Sequence, residues 1–165
     1  MSLSPARCLI LACGNTLRGD DGVGPWLANW AERRFAEQQD VRIISRQQWT
    51  PELTEEIAHA GSVLFIDCSV DSAPGSVSLT SIQPATGDQG LATHHLGASE
   101  LLALSHELYN SLPLHAQLLT IGAGSTQLGE TFSAEVTAAL PHACHLVEET
   151  VLGLLDDPEQ IQPTH

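Results

Sequence analysis

Two adjacent aspartates, Asp20 and Asp21, lie in a glycine-rich stretch, CGNTLRGDDGVG (residues 13–24), that follows an apolar run. Gly14 and Gly19 have the spacing of a phosphate-binding loop, G-x4-G, but a Lys and then a Ser or Thr should follow them. Carboxylates at those two positions repel a phosphate and attract a cation. Both aspartates also stand at the beginning of a predicted helix, whose dipole stabilises ionised carboxylates. We therefore expect one of them to cap this helix and the other to face a bound cation.

A third carboxylate and two imidazoles extend the candidate site. Asp67 ends a predicted apolar strand, residues 62–67, and therefore lies at the edge of an α/β sheet where ligands bind. His94 and His95 precede a predicted helix, a place that suits a neutral imidazole ligand better than a cation. Asp21, Asp67 and one of the two histidines offer two oxygens and one nitrogen. This set suits a divalent transition metal with open coordination positions, and no cluster of thiolates points to a closed zinc site.

Apolar runs alternate with amphipathic patterns along the chain. The runs predict strands over residues 7–13, 41–45, 62–67, 76–82 and 115–124. The patterns predict helices from Val23 to about Gln38–Gln39, from Pro51 to about Gly61, over residues 97–112, and from a capping Ser133 to about Leu155. This order indicates the α/β class: a mostly parallel, twisted sheet of about five strands with helices on both faces. We expect a single domain, residues 1–165, with a frayed tail at about 156–165.

The composition argues against several classes of partner. Of the 165 residues, 20 are acidic and six are basic, which gives a net charge of −14, and all six basic residues are arginines in the first third of the chain. No cationic stripe is therefore available for nucleic acid or for an anionic membrane. The short apolar run near the N-terminus leads into the glycine loop without a signal-peptide cleavage site. We expect a cytoplasmic protein that binds neither nucleic acid nor membranes. We expect its cysteines to be buried free thiols. They are Cys8, Cys13, Cys68 and Cys144.

The order and content of the motifs resemble those of the [NiFe]-hydrogenase maturation endopeptidases. The opening signature of that family, G-x-G-N-x-L-x-x-D-[DE]-G-x-G, is similar to LACGNTLRGDDGVG (11–24). The strand of the family that ends in Asp-Ala, with a Pro-Gly downstream, is similar to VLFIDCSVDSAPG (63–75). The family segment [ST]-H-x-x-[GS]-x-x-E-[LV]-L-A-L is similar to THHLGASELLAL (93–104). Further similar segments are QQWTPEL (47–53), LTIGAG (119–124) and FSAEVTAAL (132–140). The resemblance covers about residues 6–152, nearly the whole chain.

This resemblance implies a three-layer, phosphorylase/hydrolase-like fold and a nickel-dependent endopeptidase of aspartic or metallo type. Its substrate would be the precursor of a [NiFe]-hydrogenase large subunit, whose C-terminal extension is removed after nickel has been inserted. Matched motif by motif, the metal-contacting and catalytic residues are Asp21, Asp67 and His94. His94 is chosen over His95 because it stands six residues before Glu100, as the family histidine does. The nickel arrives on the substrate, these three residues complete its coordination, and the metal polarises the scissile carbonyl or activates a water.

Some features depart from the family, and other functions stay open. Cys13 stands where the family usually has Gly, Val or Ile, and Cys68 replaces an Ala, but neither change removes a ligand. Asp20 is expected to cap the helix and orient the loop. A nickel-binding or relay protein without cleavage activity would need the same three ligands. A phosphate- or nucleotide-binding α/β module would use the glycine loop, but the negative charges of Asp20 and Asp21 argue against it. The net charge of the chain argues against an enzyme that acts on peptidyl-tRNA.

Overall fold

The strands of the protein coincide with the apolar and alternating runs of the sequence. The computed structural model describes residues 6–86 and 96–157, which form five β-strands and four α-helices. The strands are β1 (Cys8–Cys13), β2 (Val41–Arg46), β3 (Ser62–Ser69), β4 (Val77–Ser81) and β5 (His115–Gly122). The helices are α1 (Val23–Arg34), α2 (Thr54–Ala58), α3 (Ala98–Tyr109) and α4 (Ala134–Leu155). Short 3-10 turns, Gly19–Gly22 and Pro51–Leu53, precede α1 and α2.

All five strands belong to one sheet with the order β2-β1-β3-β5-β4. β1 pairs in parallel with both β2 and β3, and β3 pairs in parallel with β5. The edge strand β4 is antiparallel to β5. The predicted fold class is therefore confirmed: the chain is an α/β protein with a mostly parallel sheet.

Alternate residues of the central strands pack into two apolar layers, one on each face of the sheet. On one face, Ile10 and Ile66 pack against residues of α1 and α4. On the other face, Leu11 and Phe65 pack against residues of α2 and α3. All four of these strand residues are fully buried. Because helices cover both faces, the strands must be apolar on both sides, which is why they form continuous apolar runs in the sequence.

Helix α1 is shorter than its sequence pattern predicts. It ends at Arg34 rather than near Gln38–Gln39. Phe35 leaves helical backbone, with φ −109° and ψ 24°, and is buried in the core, where its ring contacts Trp30 edge-on. Burial of this one ring redirects the chain before the polar residues that follow can extend the helix.

Other boundaries also differ from the predicted ones: β5 ends at Gly122, and the second helix is reduced to Thr54–Ala58 after the 3-10 turn Pro51–Leu53. β3 continues two residues beyond Asp67, because β5 still pairs with it through Ser69. The predicted helix over residues 97–112 ends earlier, at Tyr109. Asn110 adopts left-handed backbone there, with φ 52°, a conformation that commonly ends a helix.

Both ends of α4 are held by side chains. The hydroxyl of Ser133 accepts the N–H of Val136, which confirms the predicted N-cap. After the helix, the carboxylate of Asp157 contacts the imidazole of His115 at the start of β5 at hydrogen-bond distance, so the first residues of the predicted tail are held in place. Residues 158–165 of that tail lie outside the described residues. None of the helices that the structure describes combines the length and apolar character needed to cross a bilayer.

Candidate active site

A cleft of about 770 Å³ lies at the carboxyl ends of the parallel strands. Its walls include Cys13 at the end of β1, Trp49 after β2, Asp67 in β3 and Gly97 just before α3. The order of the strands reverses at β1, because β2 adds to one side of β1 and β3 to the other. Ligands of open α/β sheets bind at such a switch point. The cleft therefore lies where the fold predicts a binding site.

Asp67 reaches the cleft from β3 at the point where β1 stops pairing. The last pair between these two strands joins Ala12 to Ile66, the residue just before Asp67. The Oδ1 atom of Asp67 accepts the N–H of Cys68 at 2.8 Å. The thiol of Cys13, at the end of the neighbouring strand, also forms a hydrogen bond with this carboxylate. Because β1 ends beside β3 just before Asp67, the carboxylate of Asp67 lies in the wall of the cleft.

Asp21 reaches the same cleft from the 3-10 turn that precedes α1. Its Oδ2 atom accepts the N–H of Asn15 at 2.7 Å. Gly14 permits this arrangement, because its φ of +152° is a conformation that side chains disfavour. A Cβ at this position would lie 1.9 Å from the carbonyl oxygen of Asp21. The glycine spacing that resembles a phosphate-binding loop therefore packs the loop backbone against the turn that carries Asp21.

The two carboxylates share one electrostatic environment, which also affects two thiols. Burial, and after it the charges of Asp67 and Asp21, raise the pKa of Cys13 above its ordinary value. Burial and the charges of Asp21 and Asp67 raise the pKa of Cys68 to about 12. Both thiols therefore stay protonated at neutral pH. Because each carboxylate acts on both thiols, the structure brings these two predicted ligands into one small region.

The cysteines are free, as the sequence predicts, but their burial differs from the expectation. Cys8 is fully buried, whereas Cys13, Cys68 and Cys144 are partly exposed. Cys13 and Cys68 line the cleft, which the strand pattern did not reveal. A clear signal for this position was available for Cys13, because it immediately precedes the glycine loop.

Asp20 does not cap α1, so the capping role predicted for this residue is wrong. Neither α1 nor the turn before it has a side-chain cap. The fully buried carboxylate instead accepts the N–H groups of Gly124 and Ser125 at 2.7 and 2.9 Å. It also accepts the N–H and the hydroxyl of Ser133, both at 2.7 Å. Asp20 therefore joins the turn before α1 to the loop between β5 and α4.

The hydrogen bonds of Asp20 also decide its charge. Burial alone raises the pKa of this carboxyl, but the bonds from Ser133, Ser125 and Gly124 outweigh burial and hold the pKa below its ordinary value. The group is therefore ionised at neutral pH. The donors lie more than 100 residues away along the chain, and no local spacing in the sequence indicates them.

His94 and His95 lie outside the described residues, so the third predicted ligand stays a prediction. Leu96 and Gly97, which follow these histidines, line the same cleft as the two carboxylates. Within the part of the chain that the structure describes, no group of three His, Cys, Asp or Glu side chains forms a metal site. The described residues supply two of the three predicted ligands, Asp21 and Asp67.

Comparison with known proteins identifies similar solved structures. No protein-family model and no curated protein matches the chain. A hydrogenase 2 maturation peptidase from a Thaumarchaeota archaeon is 27% identical, with a TM-score of 0.64 over 90% of this chain and 99% of the other. The [NiFe] hydrogenase maturation protease HycI from Thermococcus kodakarensis is 25% identical, with a TM-score of 0.64 over 92% and 94% of the two chains. The hydrogenase maturating endopeptidase HybD from E. coli is 18% identical and shares the fold, with a TM-score of 0.70 over 89% and 93%.

These comparisons confirm the resemblance that the motifs predict. The chain has the fold of the hydrogenase maturation endopeptidases over nearly its whole length. The two of these structures that are at least 25% identical are named as a maturation peptidase and a maturation protease.

Proposed function

We propose that this protein is the endopeptidase that removes the C-terminal extension from a nickel-loaded precursor of a [NiFe]-hydrogenase large subunit. The observation that carries the proposal is the convergence of Asp21 and Asp67 on one cleft, in a chain with the maturation-peptidase fold. The similar proteins are named for hydrogenase maturation, which supports this class of substrate. In this proposal the nickel belongs to the substrate and is not a resident cofactor.

The held carboxylates suit recognition of a metal on another protein. Asp21 and Asp67 each accept a backbone N–H, from Asn15 and Cys68 respectively. One such bond orients a carboxylate and leaves further lone pairs for a metal. The imidazole of His94 would supply the nitrogen donor, and the three groups would fill open positions on a nickel ion that the precursor already ligates. A precursor without nickel lacks this contact and would dock poorly.

The proposed reaction is hydrolysis of one peptide bond. Water adds to the scissile carbonyl, the C–N bond breaks, and the amine leaves with a proton while the acid keeps the hydroxyl oxygen. The bound nickel polarises that carbonyl or activates the water. The residues of this chain hold the metal and the adjoining peptide in the cleft, so that the carbonyl and the water meet in a defined geometry.

Processing of a purified precursor tests the proposal. Wild-type protein is incubated with the precursor in nickel-loaded and nickel-free forms, and the mass of the large subunit is followed by mass spectrometry. We expect loss of the extension from the loaded form alone. Asp67→Asn and His94→Ala should each lower the rate by at least about 100-fold, since ligand loss exceeds the effect of losing an outer-shell partner.

A matched control lies in the same cleft. Asp71 is exposed and lines the cleft, but it is not among the proposed ligands. Asp71→Asn should therefore process the loaded precursor within about twofold of the wild-type rate. Near-normal rates for Asp67→Asn would refute the ligand assignment. Binding of the loaded precursor with no loss of mass by the wild-type protein would favour the alternative of a nickel-binding or relay protein.

A further inference from the structure

Two loops beside the cleft are joined through their backbones. The N–H of Gly19 donates to the carbonyl of Gly129 at 2.7 Å, and the N–H of Gly129 donates to the carbonyl of Leu17 at 2.8 Å. Arg18 and Gly129 form an isolated parallel bridge. We refer to residues 17–19 and 128–129 as the paired loops. The buried Asp20 carboxylate, next to the first of these loops, also accepts the N–H groups of Gly124 and Ser125, which precede residues 128–129 in the connection between β5 and α4.

The paired loops expose large apolar side chains at the edge of the cleft. Leu128 is 81% exposed and Leu17 is 54% exposed. They neighbour the two bridged residues, so the backbone pairing holds them on the same part of the surface. Val70, which lines the cleft itself, is 72% exposed. Exposed apolar side chains that cluster beside a cleft are typical of a surface that another protein covers.

A cationic side chain lies on the paired loops and also lines the cleft. Arg18 lies on the first of the paired loops, is exposed and lines the cleft. Among the described residues no carboxylate lies within ion-pair distance of it, although the chain has 20 acidic residues and six arginines. A guanidinium in this situation is available to bind a carboxylate of a partner in bidentate geometry.

We propose that Leu17, Arg18 and Leu128 form the docking surface for the folded body of the substrate protein. The matching surface of the substrate is an apolar patch that carries an acidic side chain, next to the segment that enters the cleft. This inference rests on the proposed function, because it takes the precursor as the protein that occupies the cleft. Arg18 and Val70 belong to the cleft wall, so a protein whose terminal segment lies in the cleft also covers the paired loops. The loops are held in place before binding, which reduces the entropy lost on docking.

Binding of the nickel-loaded precursor to surface variants tests this inference. The immobilised precursor is titrated with wild-type protein, Leu17→Asp, Leu128→Asp, Leu128→Ser and Arg18→Glu, and each Kd is measured by biolayer interferometry. The Asp and Glu variants should raise the Kd at least tenfold, and Leu128→Ser should raise it less. Melting temperatures should stay near that of the wild type, because these side chains are solvent-exposed. Leu108→Asp is the matched control: Leu108 is 58% exposed near the end of α3, which runs from the cleft toward the amino ends of the strands, and its Kd should change less than twofold.

The outcomes separate this inference from the proposed function. Wild-type affinity of the folded Leu17→Asp and Leu128→Asp variants would overturn the docking surface. An increase in Kd for Leu108→Asp as large as that for the loop variants would also overturn it, and so would the absence of any binding by the wild-type protein. The same holds if a short peptide with the precursor's C-terminal sequence competes fully and binds as tightly as the whole precursor. Cleavage is scored separately by mass spectrometry. A wild-type protein that binds through the paired loops but leaves the mass of the precursor unchanged would contradict the proposed function and support the docking surface.

Discussion

The two ends of the sheet hold their carboxylates in different ways. At the amino ends of the strands, carboxylates pair with basic side chains: Asp40 with Arg7 at 3.5 Å and Asp157 with His115 at 2.5 Å. At the carboxyl ends, Asp21 is held by a backbone N–H. Among the described residues, neither Asp21 nor the buried Asp20 beside it forms an ion pair.

This difference decides how much of a carboxylate's charge remains unbalanced. An ion pair positions a carboxylate but cancels its charge. A neutral N–H donor positions the carboxylate and leaves its charge in place. The carboxyl ends of the strands therefore keep a negative potential in the cleft, which attracts a cation. The predictions that follow test whether changes at this end affect processing, while changes at the amino end affect stability alone.

The largest effect is expected from a side chain at position 14. Gly14→Val adds a Cβ that would lie 1.9 Å from the carbonyl oxygen of Asp21, at a residue whose φ is +152°. The loop must shift, which displaces Asp21 from the cleft. We expect the processing rate to fall at least about 100-fold and the free energy of unfolding to fall by about 3 kcal/mol. Mass spectrometry of the precursor and urea denaturation measure the two quantities.

A second glycine provides the control for this change. Gly153 lies in α4, and no atom comes within 4 Å of a Cβ built there. Gly153→Ala should raise the free energy of unfolding by about 0.5–1 kcal/mol, because alanine favours helix, and should leave processing unchanged. An intact processing rate in Gly14→Val would show that Asp21 does not need its observed position.

An effect on stability of similar size, with no predicted loss of the cleft geometry, is expected for the buried carboxylate of Asp20. Asp20→Asn keeps the size of the side chain but removes the charge that four donors share. At pH 7 the free energy of unfolding should fall by about 3 kcal/mol, since hydrogen bonds to a buried charged group are strong and an amide cannot accept all four. Urea denaturation at several pH values measures this loss.

The pH dependence of that loss has a defined sign. The folded pKa of Asp20 lies below its ordinary value, so its charge stabilises the fold above the unfolded pKa of about 3.9. This stabilisation disappears as the pH falls through the folded pKa. The difference between wild type and Asp20→Asn should therefore be constant near neutrality and shrink below pH about 4. A difference that is the same at pH 3 and pH 7 would contradict this account of Asp20.

The smallest effect is expected at the amino ends of the strands. Asp157→Asn removes the charge that faces the half-exposed His115. Exposed pairs of this kind contribute at most about 1 kcal/mol. We expect a loss in the free energy of unfolding no larger than that, and an unchanged rate of precursor processing. A large drop in the processing rate of this variant would contradict the proposal that changes at the amino ends of the strands affect stability alone.

The sequence predicts the fold well where a local pattern sets the structure. The continuous apolar runs predict the buried strands, and Ser133 marks a real helix start. Prediction fails where distant contacts decide. The burial of Phe35 shortens α1, and pairing with β5 carries β3 beyond Asp67.

In the candidate site, too, the sequence predicts the residues that a local pattern places and misses those that distant contacts place. Asp21 and Asp67 were predictable because a parallel sheet gathers the carboxyl ends of its strands at one edge. The role of Asp20 was not, since its donors lie 104 to 113 residues away. Asp20 and Asp21 stand in the same short turn, yet Asp21 lines the cleft and Asp20 is buried among backbone donors. Charge and helix-dipole arguments treat the two alike, and only the resemblance to the family signature selects Asp21.

The central claim is that two carboxylates and one imidazole bind a single nickel ion. Crystals of this protein soaked with Ni²⁺, with anomalous scattering recorded at the nickel edge, test the claim directly. We predict one peak at coordination distances of about 2 Å from carboxylate oxygens of Asp21 and Asp67 and from a ring nitrogen of His94. A nickel ion bound elsewhere, or two carboxylates too far apart to share one ion, would contradict it.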